Sequence, residues 1–384
     1  MKKLIYIAVA AAMMLASCGK EQAVKVSVNN PIDQERTEVV AVNFDEVAAK
    51  LPAITAENVV VYNAAGEEIT SQVFFNGDEP QLILFQPTVA ANGSAEFSIE
   101  AGTPAEYEQK VFGRYVPERK DDYSWENNVI AFRSYGKALE VEMVSPGIDV
   151  WVKCSDKLVI NEWVANEQKE ANWYHHNHGD GLDCYKVGVT LGGGASVPYV
   201  DGALVYPEHN WQTYTDLANG PLVKMFALTY LPYNIGGEEI SLTKVYTIEA
   251  NSNFCTVKDV FSKNGQGLGV AAGTIRHNVK NFAQGENWYA MYEAASDSSD
   301  PERDGDIALA MIVPAGGEVI ENGDKGHALI VGEAAEGCTG DTAEFQYVLG
   351  AGWSQGNVPS AEVWAEMVAD KAEAIANPLE VVIK

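Results

Sequence analysis

The stretch VKMFALTYLPYNIGGEEISLTKVYTIEANSNFCTVKDVF, residues 223–261, decides the fold class. Its runs Val223–Tyr230, Ile240–Ala250 and Phe254–Phe261 are rich in β-branched and aromatic residues, and Pro, Asn and Gly lie between them. Runs of this composition bounded by turn formers read as consecutive strands. The same texture extends in both directions. Downstream, Trp288–Glu293, Ile307–Val313 and His327–Val331 are strand-like, and upstream Asn128–Tyr135, Leu139–Val144, Gly147–Lys153 and Ala203–Tyr206.

Further toward the start, Lys25–Val28, Thr37–Phe44, Asn58–Tyr62, Ser71–Phe75, Gln81–Gln86 and Ala95–Ile99 form a series of short strands. The turns at Ala64–Gly66 and Asn92-Gly93 punctuate it, and such spacing suits an antiparallel sheet. Residues 101–125 read as an irregular, charged connection passing over a binding face. Asp156–Ala165 fits a helix or a strand. Ser360–Ala376 reads as a helix, with Ser360 as its cap, Val363, Trp364, Met367 and Ile375 roughly on one face and Pro378 beyond its end. Leu379–Ile383 reads as a closing strand. The expected architecture is mostly β, a large antiparallel sandwich with a small leading β region and a C-terminal helix. The divisions are a signal peptide over 1–17, the leading region over 18–110 and the main domain over 111–384.

The signal reading rests on Lys2-Lys3, the apolar run Leu4–Leu15 and the ending Leu15-Ala16-Ser17-Cys18. That ending resembles a bacterial lipobox, which makes Cys18 the lipidated first residue of an exported, membrane-anchored protein. The formal charge of −28 becomes −30 when the two leader lysines are removed. So acidic a surface repels nucleic acid, which is excluded as a partner. Of six arginines, Arg114, Arg119 and Arg133 lie close together, as carboxylate recognition requires. Cys154, Cys184, Cys255 and Cys338 are widely spaced and leave two disulfides or four free thiols open.

Chemistry concentrates in NWYHHNHGDGLDCYKVGVTLGGG, residues 172–194. It holds three of the six histidines, His175, His176 and His178, followed by Asp180, Asp183, Tyr185 and Lys186. These groups move protons or hold metals, and Gly192–Gly194 permit the backbone of a loop wrapped around a ligand. A divalent metal is the candidate cofactor, with His176, His178 and Asp180 as its ligands, though the spacing matches no HExxH signature. Arg133 stands among apolar residues and needs a ligand or an ion pair with Asp149 or Glu126. Asp149, Trp151 and Lys153 alternate onto one strand face, an indole between polar groups, as in a sugar-binding surface.

WENNVIAFRSYG (125–136), GIDVWVK (147–153), YHHNHGDGLDCYKVGVTLGGG (174–194) and NGPLVKMFALTY (219–230) resemble the DUF4861 family of exported Bacteroidetes proteins. The resemblance runs from about residue 25 to the C-terminus, with Asn128 where an acidic residue is usual. It implies a mutarotase-like β-supersandwich that binds sugar on a broad concave face, in the setting of uronate-rich polysaccharides.

The leading expectation is proton abstraction and elimination on uronate-containing oligosaccharides, of lyase or dehydratase type. Arg133 or Lys153 would neutralise the sugar carboxylate, His175 or His178 act as base, and Tyr185 as acid. Asp149, Trp151, Lys153, Asp183 and Arg119 would bind substrate. The alternatives are a glycoside hydrolase using paired carboxylates such as Asp149 and Asp183, a sugar epimerase, and a non-catalytic glycan-binding surface lipoprotein.

Overall fold

The computed structural model describes residues 23–384; the leader and Cys18 lie outside them. The leading unit has two larger sheets and a short pairing of Arg36–Thr37 with Thr88–Val89. Val24–Asn29, Ser94–Ala101, Val59–Asn63 and Glu68–Ile69 form one, and Val40–Asn43, Glu79–Phe85 and Ser71–Asn76 the other. Alternate side chains meet between them, among them Val26, Val28, Val42, Val61, Ile83, Phe85 and Ile99. The last strand, Glu380–Ile383, returns from the far end of the chain and pairs with Val24–Asn29, Val26 facing Ile383.

The larger body is a sandwich of antiparallel strands. One layer is a sheet of nine strands, ordered Thr213–Asn219, Val223–Thr229, Leu242–Glu249, Phe254–Ser262, Thr342–Trp353, Asp306–Ile312, Trp288–Ala294 and Val279–Gln284, with Ala335–Glu336 added at the side. The opposing layer is two sheets of five. Val111–Val116, Asp122–Asn127, Ile130–Ser134, Ile148–Lys153 and Gly181–Asp183 make a meander. Ala203–Leu204, Ala195–Val200, Gly269–Ile275, His327–Glu333 and Glu318–Ile320 make the other. Trp125, Phe132, Val150 and Val152 from the meander share one buried core with Phe226, Tyr246 and Leu349 from the nine-stranded sheet. The Trp125 ring lies 5.1 Å from Phe226 and 5.0 Å from Tyr246, spacings that add to the burial itself.

The helix Ala361–Ala376 backs the nine-stranded sheet. Ser360 Oγ accepts from the Val363 N–H at its start. Trp364, Val368 and Ala372, four residues apart, pack on Ala308, Ala310 and Val348. The Trp364 indole donates to Leu309 O at 2.9 Å. Val363 lies off this stripe and is exposed.

Two expected elements differ. Residues 101–125 are not a loop throughout, because Val111–Val116 and the start of Asp122–Asn127 are the first two strands of the meander. The alternation is masked because Arg114 reaches Asn161 and Glu118 on the covered face, where Val116 is buried as well, while Val111 and Gly113 turn to the other face. Leu139–Val144 is no strand. Lys137–Val141 forms a turn of 3-10 helix that buries only Leu139, and Glu140 is held by the Asn210 N–H and the Gln212 amide. The segment Asp156–Ala165 resolves as the helix Ile160–Glu167. Cys154 and Cys338 are exposed free thiols, and Cys184 and Cys255 buried ones.

Candidate functional site

The outward face of the meander carries most of the polar residues singled out from the sequence. Along Ile148–Lys153, Ile148, Val150 and Val152 enter the sandwich core, and Asp149, Trp151 and Lys153 point the other way. That face is covered, not open. Helix Ile160–Glu167 and the turn Trp173–His175 lie over it, with Trp163 and Tyr174 rings 5.4 and 5.1 Å from Trp151. The expected exposed sugar surface of Asp149, Trp151 and Lys153 is therefore corrected: all three are at most 3% accessible. The cause is local. The apolar side of the helix needs a partner, and Trp151 supplies it.

Lys153 donates to Glu126 at 3.0 Å, and the Glu126 carboxylate also accepts from Val159 N and Ile160 N at the start of the same helix. Burial pushes the Lys153 amine down and the Glu126 carboxyl up, each against the pull of its partner. Lys153 joins the sheet to its cover and is not free to neutralise a ligand.

Arg133 sits opposite Asp149 in the strand register. Its Nη2 lies 2.6 Å from Asp149 Oδ2 and 3.4 Å from Asp183 Oδ2, and Nε is 3.8 Å from Asp122 Oδ2. Nη1 donates to the Tyr174 hydroxyl at 3.2 Å, which also accepts from Arg119 Nε at 2.8 Å. The guanidinium lies over the rings of Tyr135 and Trp151. Burial opposes its charge, but the neighbouring carboxylates, Asp149 foremost, hold it protonated. One cation faces three aspartates here. Burial and the Asp149 charge push Asp183 well above the usual carboxylate range, and burial raises Asp122 to about 6 despite Arg133. Arg133 thus fills its internal ion pair and does not serve a substrate carboxylate. Of the arginines expected at the site, Arg119 stays half-buried, with contact to the surface.

The histidines separate. His175 is half-buried, its Nδ1 2.9 Å from Asp183 O. His178 stacks on Trp173 at 3.9 Å between ring centres, bonds Trp173 O through Nε2, and is exposed. Asp180 pairs with Lys157 at 3.0 Å, and His176 lies near Asp304. The ligand set His176, His178 and Asp180 is not assembled: each has a different neighbour. Among the described residues no three His, Cys, Asp or Glu side chains are grouped for a metal.

Tyr185 is buried and donates to Ile275 O at 3.3 Å, and burial drives its hydroxyl far above the usual phenol range. Its ring meets the edge of His277 at 5.3 Å. His277 was not foreseen. Its Nδ1 lies 2.9 Å from Glu293 Oε1, and its own backbone N–H donates to Glu293 Oε2 at 3.0 Å. Glu293 is fully buried, whereas the His277 side chain keeps 19% of its surface. An inaccessible carboxylate gripping one ring nitrogen fixes the tautomer and turns Nε2 outward. His277 Nε2 has no partner among the described residues. The clue in the sequence was Glu293, a lone charge within the apolar strand WYAMYEA.

Segment Asp183–Lys186 links these features. His175 bonds Asp183 O, Asp297 N donates to Cys184 O at 2.9 Å, Tyr185 contacts His277, and Lys186 N donates to Ser296 Oγ. Gly181 lets the segment close on the meander: at φ +130 a Cβ there would stand 2.0 Å from Val152 O. The run Gly192–Gly194 serves packing and not a ligand loop, since a Cβ on Gly193 would lie 2.4 Å from Val150 Cγ2.

Fold and site together define an antiparallel β-supersandwich with a leading β unit and a half-open polar seam along 174–186. The model of the family described as Domain of unknown function (DUF4861) matches residues 28–381, and the chain belongs to that family. A protein of Formosa agariphila, Uncharacterized protein P7, is 27% identical over 400 residues, with 98% of each chain covered. Among solved structures, an alpha-mannosidase from Enterococcus faecalis V583 is similar, with a TM-score of 0.50 and 10% identity over 95% of this chain and 46% of that one. A protein in glycosyl hydrolase family 38 from Enterococcus faecalis gives a TM-score of 0.49 and 11% identity, covering 95% and 48%. This chain spans about half the length of those two structures. At that identity the mannosidase is a likeness of fold alone.

Proposed function

We propose that this protein is an exported lipoprotein, anchored through Cys18, that acts on uronate-containing oligosaccharides by proton abstraction and elimination. The observation that carries the chemistry is the His277–Glu293 pair. A half-buried imidazole held at Nδ1 by an inaccessible carboxylate presents its other ring nitrogen as a general base. His175, held through Nδ1 by Asp183 O, offers a second free Nε2 on the other side of the same segment. The proton next to a sugar carboxylate is weakly acidic, and its removal expels the oxygen on the β-carbon as an alcohol once that oxygen is protonated. Arg119, half-buried and bonded through Nε to the Tyr174 hydroxyl, is the cation proposed to neutralise the sugar carboxylate, with the leaving oxygen protonated from water. The sugar class is supported by the family resemblance and by the fold shared with an alpha-mannosidase.

The test is incubation of the purified protein with uronic-acid oligosaccharides, with and without chelator, read by the absorbance of the unsaturated product and by mass. His277→Ala is expected to lower turnover by roughly 10²–10⁴-fold while sugar binding persists. Turnover unchanged in that variant removes His277 from the mechanism. A second reading, a glycan receptor without turnover, is favoured by the full engagement of Arg133, Lys153 and Tyr185 in internal contacts. Binding with no product from any substrate establishes it.

A further inference from the structure

Between the layers of the sandwich lies a charged pair that the seam does not use. Lys244, on Leu242–Glu249, stands directly opposite Asp259, on Phe254–Ser262, within the nine-stranded sheet. Ser196, on Ala195–Val200 of the opposing layer, closes the group. All three are at most 2% accessible. Lys244 Nζ lies 2.8 Å from Asp259 Oδ1, 2.5 Å from Ser196 Oγ and 3.0 Å from Ser196 O. The Ser196 hydroxyl in turn donates to Asp259 Oδ2 at 2.5 Å. The Tyr347 ring centre is 5.9 Å from Nζ, and Tyr347 belongs with Tyr230 and Tyr246 to the surrounding core.

Two opposite charges enclosed in this way are costly to keep, even as a pair. Burial pushes the Lys244 amine down and the Asp259 carboxyl up, each against the pull of its partner. It therefore favours moving one proton from nitrogen to oxygen. The result is a neutral amine, which is a nucleophile, in contact with a carboxylic acid. Nζ already touches Oδ1, an atom bonded to the carbon it would attack. Groups held at such range react as one molecule and not as two.

We propose that Lys244 and Asp259 condense into an intramolecular amide, a covalent cross-link between neighbouring strands. The Nζ–Cγ bond forms and the Cγ–Oδ2 bond breaks. The ammonium carries three protons and gives up two. The first passes through the Ser196 hydroxyl to Oδ2, and the second follows the same route once Nζ is bonded to Cγ. Oδ2 leaves with both as water, so atoms and charge balance without a co-reactant. Ser196 is the relay because its Oγ accepts from Nζ and donates to Oδ2. The product keeps its partners: the amide N–H meets Ser196 O, and Oδ1 takes the Ser196 hydroxyl. Both charges vanish and no buried polar group is orphaned. The link closes residues 245–258 into a ring inside the largest sheet.

Tryptic mapping of the whole protein by mass reads the bond directly. The linked form leaves Lys244 uncut and yields 225–258 joined to 259–263, lighter than the two peptides by one water, about 18 Da. Fragmentation is expected to place the junction at Lys244 and Asp259. An unlinked chain yields 225–244, 245–258 and 259–263 separately. Those three alone from the parent overturn the proposal, as does a loss of water placed at other residues. Lys244→Arg keeps a cation that cannot become a free amine, and should be cut after position 244. Ser196→Ala should lower the linked fraction at least about tenfold. An equal fraction in that variant strikes Ser196 as the relay and leaves the amide.

Discussion

At the level of single residues, the decisive fact is that one guanidinium serves three carboxylates. Removing Arg133 leaves Asp149 and Asp183 together without a cation in a site closed to water. Arg133→Ala is therefore expected to cost roughly 3–5 kcal/mol of stability, measured by urea unfolding. A loss below about 1 kcal/mol, within the range of exposed ion pairs, would contradict the buried arrangement. The same cluster makes stability depend on pH. Asp122 is raised from 3.8 to about 6, so the folded state keeps its proton where the unfolded state releases it. Stability from this group is complete below the unfolded value and falls as pH rises through that window, levelling off above about 6. Asp122→Asn keeps an oxygen for the Gly136 N–H, now met by Asp122 Oδ1 at 3.1 Å, and cannot ionise. The variant should show a flatter melting temperature between pH 4 and 6 than the parent, and an identical slope in both would remove Asp122 as the source. Sequence alone led to Arg133, because a charge in an apolar strand must be compensated, but left a ligand, Asp149 and Glu126 open as its partner; the folded sheet supplies Asp149. Sequence did not lead to Asp122 or Tyr174, which come from segments whose register only the folded sheet sets. Nor did it lead to His277, whose partner Glu293 is sixteen positions away.

At the level of elements, the meander and its covering helix are bound by polar contacts as much as by packing. Glu126, from the second meander strand, accepts two backbone N–H bonds at the start of helix Ile160–Glu167 and the Lys153 amine. Glu126→Ala leaves Lys153 buried without its carboxylate and uncaps the helix that shelters Trp151 and Arg133. The expected loss is about 3–5 kcal/mol, with earlier amide-proton exchange at residues 160–167 than elsewhere. Uniform exchange across the chain would mean that the cover is held by Trp163 packing alone. The element-scale expectations divide along the same line. Strands whose partners lie on both faces, such as Ile307–Val313 and Ile240–Ala250, and the capped helix at 361–376 were legible. Val111–Val116 was not, since both of its faces carry apolar residues and its outward face, Phe112, Arg114 and Val116, serves the cover. Leu139–Val144 has the alternation of a strand but no neighbouring edge to pair with, and the Glu140 contacts with Asn210 and Gln212 fold it into a turn.

For the whole molecule, the question is what the two ends of the chain do for each other. Strand Glu380–Ile383 pairs with Val24–Asn29, and Ile383, Val381 and Leu379 pack against the leading core. Arg36, itself buried, donates to Ala374 O and Asn377 O at the end of the long helix. The leading unit is thus closed by residues that follow the entire main body. A chain ending after Asn377 keeps the helix and its Trp364 contacts but strips one edge of the first sheet, exposing a row of unpaired backbone groups along Val24–Asn29. The leading unit, small and poor in aromatic residues, has little stability to spare. Calorimetry of the truncated protein should resolve a low-temperature transition for the leading unit ahead of that of the sandwich. Dynamic light scattering should report association through the uncovered edge. A single transition at the parent's temperature would show that the closing strand adds no stability, and that the leading unit is held by its contacts with the main body instead. Turnover seated at His277 should survive the truncation below the first transition, because among the described residues the hydrogen bonds of the His277–Glu293 pair involve no residue of the leading unit.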